Sequence, residues 1–194
     1  DIHRPDGIPD LIQYIEHGTM NLAAQAEIIG HMSQTLSNSI LDNYHHLGDA
    51  ASITDGLVYN PELAPYEVNL SDRTSGKNDD MWAFTDRDPK RDLYAANTLA
   101  AASRVLKSHN SELATRALNE SIRLRNESLK IMSFSSNNET AISSSVENIT
   151  TNLQLYITTE QQEYLDNYLS LLWTFLDKNL ESGILIAIEA IPYM

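Results

Sequence analysis

The sequence contains no cysteine. Disulfides, thiolate zinc sites, cysteine-ligated iron–sulfur clusters and cysteine nucleophiles are excluded with it. Positive charge is scarce: 13 Lys and Arg stand against 27 Asp and Glu, a net charge of −14. Nucleic acid and anionic membrane surfaces both demand a concentrated basic face, so neither is an expected partner. No apolar run approaches the ~18 residues of a membrane span, and no signal peptide is recognisable. Glycine totals seven, and no Gly-rich loop opens a helix, which argues against a nucleotide site. Neither His-Glu-x-x-His nor Gly-x-Ser-x-Gly occurs, so the common zinc hydrolase and serine hydrolase signatures are missing.

What is present is a chain of 194 residues, 42% apolar, enough for one ordinary domain or for part of a larger one. It opens at Asp1 in what reads as the middle of a loop and closes on Ile191-Pro192-Tyr193-Met194 directly after an apolar run. A piece of a longer protein is the expectation. The pattern is mostly helical. Pro9 suits the first position of a helix, and Asp10 places negative charge in its first turn. Ile8, Leu11, Ile12, Ile15, Leu22, Ala26 and Ile29 follow at helical spacing, with Gly30 as the stop.

Asp88-Pro89 opens a second helix, alanine-rich from Leu93 to Leu106, whose small residues permit close approach of a neighbour. A third runs to about Met132. Ile142, Val146, Ile149, Leu153 and Tyr156 form a single apolar stripe. Thr159-Glu160-Gln161-Gln162 has the form of a capping box ahead of another helix, which Ser182-Gly183 should end. Ile184–Ile191 is apolar almost all round and should be deeply buried. The expected architecture is all-α, about six helices with short connections and one long loop.

That loop, about residues 31–88, carries turn dipeptides (Asp55-Gly56, Asn60-Pro61, Ser75-Gly76), with short strands expected around Leu57–Tyr59 and Trp82–Thr85. Loops of such length in compact domains usually carry function. Its acids, Asp49, Asp55, Asp72, Asp79 and Asp80, include no pair that sequence singles out for glycosidic acid–base chemistry. Asn78-Asp79-Asp80 with Asp86 and Asp88 offers oxygen ligands for a structural calcium ion but lacks the calcium-loop period, and solvated turn acids are the plainer reading. His45 and His46 are adjacent, an awkward arrangement for joint coordination of one zinc ion. The loop's rings, Tyr44, His45, His46, Tyr59, Tyr66, Trp82 and Phe84, suit sugars, which stack on a flat face and hydrogen-bond at their rim. The competing reading is that they pin the loop to the helices.

Several segments carry a resemblance. Gly7-Ile8-Pro9-Asp10-Leu11-Ile12 resembles the Gly-Ile-Pro-Asp-Leu-Leu-Asp-Glu helix start of glycoside hydrolase family nine, the inverting cellulases. Asn43-Tyr44-His45-His46-Leu47 stands where that family has a Val-Tyr-His-Lys-Val segment at the substrate cleft, departing from it at His46. Trp82-Ala83-Phe84-Thr85 and then Ala95–Leu106 resemble the family's short aromatic segment and its Ala-rich helix. The run Arg4–Leu124 looks closest to cellulases of gut bacteria.

The resemblance implies that the chain is about half of an (α/α)6 barrel, residues 1–194 forming a partial catalytic domain whose long loop faces the cleft. It implies a secreted or periplasmic parent enzyme, an inverting β-1,4-glucan hydrolase of endoglucanase type, with a β-glucan oligosaccharide or polysaccharide as partner and no cofactor. The family's Asp-Ala-Gly-Asp base motif and its C-terminal acid Glu are absent from this chain. No catalytic residue is therefore assigned, and the chain alone is expected to be inactive. Substrate contact falls to His45 as the matching cleft residue, with Tyr44, Trp82 and His46 beside it. The alternative is an all-helical interaction or scaffold module without catalysis, which would show equal repeats.

Overall fold

The computed structural model describes residues 7–33, 36–38, 55–83, 87–134 and 145–194. Six α-helices are present among them: α1 (Asp10–Ile29), α2 (Pro89–Leu106), α3 (Ser111–Phe134), α4 (Val146–Thr159), α5 (Gln162–Leu176) and α6 (Leu180–Ala190), followed by a 3-10 turn, Ile191–Tyr193. Five short strands, β1 (Leu36–Asn38), β2 (Val58–Tyr59), β3 (Val68–Asn69), β4 (Thr74–Ser75) and β5 (Met81–Ala83), lie between α1 and α2. The chain divides into two compact units. One is Asp1–Met32 with Arg87–Met194, the helices; the other is Ser33–Asp86, the strands. No helix among the described residues is long and apolar enough to cross a membrane.

The end of α1 and the start of α2 carry plain local signals, whereas Pro9 precedes α1 instead of taking its first position. Gly30 ends α1 in the left-handed region, φ 86°, with its amide donating to Ala26 O, a geometry that glycine adopts without steric cost. The Asp88 carboxylate caps α2 by accepting the Lys90 amide at 3.0 Å, and Pro89 takes the first position, where its missing N–H is no loss.

The helical unit is organised around α2. Buried Ala95, Ala96 and Leu99 of α2 pack with Ala26 of α1, Met32, and Ala117 and Leu124 of α3. On another side, Ala100 meets Leu155 of α4 and Tyr164 of α5. Polar side chains assist the close approach by donating to α2 carbonyls: Ser121 Oγ to Ala96 O (2.6 Å), Thr151 Oγ1 to Leu93 O (2.8 Å) and Thr158 Oγ1 to Ala100 O (3.0 Å). Thus α2 packs on α3, its neighbour in sequence, and also on α4, the next but one. The chain then continues through α4, α5 and α6, where Ile149, Leu153, Tyr168, Leu172, Ile186 and Ala190 share a core.

Three expectations are corrected. The Thr159–Gln162 segment is not a capping box. Thr159 is the last residue of α4 and its hydroxyl donates back to Leu155 O (2.7 Å), while Glu160 closes that helix with φ 57°. Nor does Ser182-Gly183 end a helix: α5 stops at Leu176, and Gly183 lies inside α6. A Cβ at Gly183 would come within 2.5 Å of Leu176 Cδ2, so the glycine serves the close α5–α6 approach. Finally, α6 is not buried all round. Ile186 and Ala190 face the core, whereas Leu185 (67% exposed) and Ile188 (53% exposed) face outward, because only one side of the helix meets α5.

Burial of α4 is broader than its apolar stripe. Asn148, Thr151 and Asn152 are buried together with Ile149, Leu153 and Leu155, because α2 covers one side and α5 another.

Candidate functional site

In the strand unit, β1 and β5 form an antiparallel ladder that sets Leu36 opposite Ala83, Ser37 opposite Trp82 and Asn38 opposite Met81. The ladder therefore joins the strand leading into residues 39–54 to the strand that carries Trp82. Tyr44, His45 and His46 lie outside the described residues, as do Phe84, Asp86 and Asp49, and for Trp82 only the backbone is described. The structure consequently brings Trp82 into register with Ser37, and it assigns no geometry to the other three candidate contacts.

A second small sheet, ordered β2-β4-β3, has β2 parallel and β3 antiparallel to β4. Gly76 follows β4 at a point where a Cβ would collide with Ala64 O, so the backbone packing there admits no side chain. The acids of this unit shape its turns. Asp55 accepts the Ser75 hydroxyl at 2.6 Å and the Leu57 amide at 2.9 Å. These two donors hold its carboxyl below the ordinary carboxylate range, the Ser75 bond contributing most. Asp79 accepts the Asp55 amide (2.9 Å) and pairs with Lys77 Nζ (2.8 Å). Asp80 accepts the Tyr59 amide (2.8 Å), and Asp72 accepts from Asn69 Nδ2 (2.7 Å).

Side-chain acceptance of backbone N–H groups is the usual work of Asp in turns. No group of three His, Cys, Asp or Glu residues suited to a metal ion is present among the described residues.

The helical unit holds a cavity of about 470 Å³ between α1, α2 and α4, lined among others by Ile15, Gly18 and Leu22 of α1, Asn97, Ala101 and Arg104 of α2, and Gln154 of α4. Arg104 donates from Nη1 to Thr158 Oγ1 (2.8 Å) and from Nη2 to Gln154 Oε1 (2.9 Å), both neutral acceptors. Asn97 Oδ1 is buried with no hydrogen-bond partner. Sequence reasoning missed this cavity. Its walls come from three elements distant in the chain, and its one available signal was an arginine within the alanine-rich stretch of α2.

Comparison of the chain with protein-family models, with curated proteins and with solved structures gave no match.

Proposed function

We propose that this chain is part of an inverting β-1,4-glucan hydrolase of the (α/α)6-barrel type, secreted or periplasmic, whose acid and base carboxyls lie outside these 194 residues. Its own contribution is substrate contact through His45, with Tyr44, Trp82 and His46 beside it. The observation that carries the reading is the ordered series of segments resembling glycoside hydrolase family nine. Two features of the fold are consistent with it. Gly7-Ile8-Pro9 leads into a helix at Asp10, and the Ala-rich segment is a helix whose small face packs on its neighbours. The packing of α2 on α4, past α3, is also what a double ring of helices requires. A scaffold of equal hairpins fits less well, because the helices run to 20, 18, 24, 14, 15 and 11 residues without a repeat.

The test is a pair of measurements on the purified chain. Carboxymethylcellulose should not be turned over, and cello-oligosaccharides should bind in a calorimetric titration, weakened about tenfold or more by His45→Ala. Turnover that disappears in His45→Ala would place a complete catalytic apparatus in the chain and overturn the division of labour proposed. Absence of binding, or binding indifferent to His45→Ala, would remove the substrate-contact role.

A further inference from the structure

We infer, resting on the glucan-hydrolase reading above, that Tyr66 is a further substrate-contact residue, a fixed aromatic platform on which one sugar ring of a β-glucan stacks. Anchoring and ligand stacking compete as uses for a ring in this part of the chain, and exposure separates them. Tyr59 is half-buried in β2. Tyr66 is 86% exposed, so its ring anchors nothing. Val68 and Leu70, at alternate positions after it, are exposed too.

The backbone beneath the ring is held from several sides. Ala64-Pro65-Tyr66-Glu67 is a turn closed by the Glu67 amide, which donates to Ala64 O at 2.8 Å, and Pro65 takes the position whose φ proline presets. The Glu67 carboxylate reaches back to accept the Ala64 amide at 2.9 Å. The Gly76 amide donates to Glu67 O at 3.0 Å, and Gly76 lies so close to Ala64 O that no Cβ fits between them. Binding to such a turn costs little more than the two side-chain torsions of the ring. Charge narrows the ligand. Residues 33–86 carry nine Asp and Glu against Arg73 and Lys77, so an anionic ligand is repelled and a neutral one is not. With only two residues, β3 offers little edge for an added peptide strand. A β-linked glucose ring presents flat C–H faces and carries its hydroxyls at the rim, so it meets the phenol ring face to face and leaves the hydroxyls in water.

The test is a calorimetric titration of the purified chain and its variants with cellohexaose. Tyr66→Ala should weaken binding about five- to tenfold, while its circular dichroism and urea midpoint match those of the native chain. Tyr66→Phe should bind within about twofold of the native chain, because the ring face and not the hydroxyl makes the contact, and Tyr66→Trp should bind more tightly. If the native chain binds and Tyr66→Ala binds equally well, or if Tyr66→Phe is as weak as Tyr66→Ala, the platform role is wrong while the glucan reading stands. If the native chain does not bind cellohexaose at all, the glucan reading fails and takes this role with it. Self-association of the native chain in sedimentation, lost in Tyr66→Ala without any change in sugar affinity, would assign the ring to a contact between copies and overturn the proposal.

Discussion

Asn152→Leu is expected to lower the stability of the helical unit by about 3 kcal/mol, read as a fall in urea midpoint at unchanged slope. The cause is Arg125 of α3, only 6% exposed. Its Nε and Nη2 both donate to Asn152 Oδ1, at 3.1 and 2.8 Å, and Nη1 donates to Asn126 Oδ1 at 3.0 Å. The guanidinium also lies 5.1 Å from the centre of the Tyr164 ring, close enough for a cation–π contribution. Burial pushes the arginine's affinity for its proton down, offset in part by Tyr164 and Glu163. Leucine at position 152 removes the acceptor that serves two of the buried donors and leaves the charge without it. Asn152 is itself oriented by Asn148, whose backbone O and Oδ1 accept its Nδ2 at 2.8 and 3.0 Å, so the acceptor is fixed in place before the arginine meets it. The double variant Arg125→Met with Asn152→Leu should recover more than half of the loss, since an apolar pair in this position needs no partners. If the double variant is as unstable as Asn152→Leu alone, packing and not charge burial is the cause.

Asp92→Ala should cost about 3 kcal/mol by the same measurement, whereas Asp92→Asn should cost about 1 kcal/mol. Asp92 is completely buried in the first turn of α2. One oxygen accepts the buried Met32 amide at 2.8 Å and the other accepts Arg87 Nε at 3.1 Å. Alanine would strand the Met32 N–H away from water and deprive Arg87 of its counter-charge. Asparagine keeps an oxygen for Met32 but loses the Arg87 bond, its Nδ2 being a donor, and Arg87, 30% exposed, can turn to water. The consequence is more than local, because Met32, 3% exposed, belongs to the same core as Ala26, Ala96 and Leu99. Equal losses for the two variants would mean that the Arg87 pairing, and not the tie to Met32, carries the effect.

The sequence was most legible where one residue type has one conformational reason to be where it is. Gly30 at positive φ and Asp88-Pro89 at a helix start are such cases, as are the alanines of α2, whose small size decides how near α3 can come. It was least legible where a residue departs from its usual role. Glu160 takes the left-handed conformation that glycine normally fills, so a helix end was read as a helix start. Gly183 serves a helix crossing instead of a turn. Thr151 and Asn152 are polar yet buried, because their partners Leu93 O and Arg125 come from α2 and α3, some tens of residues away, while Asn148 is bonded one turn on by Asn152. No periodicity in one segment can announce a partner in another. The outward face of α6 is the same problem reversed: its apolar residues matched a core pattern, but which faces find a neighbour is decided by the packing of α5. In the loop, strands near Leu57–Tyr59 and Trp82 were readable from their β-branched and aromatic residues, while β3 and β4 were hidden by their polar composition.

The central position of α2 also orders the motions of the helical unit. Its buried side is covered by α1, α3 and α4, so the amides along that side are expected to be the slowest of the unit to exchange with solvent. Helix α6 rests on α5 along one face and carries Leu180, Leu185 and Ile188 in solvent, so it is expected to open before the rest of the unit. Hydrogen exchange is therefore expected to be graded, fastest at the C-terminal end of the unit and slowest along the buried side of the Ala-rich helix.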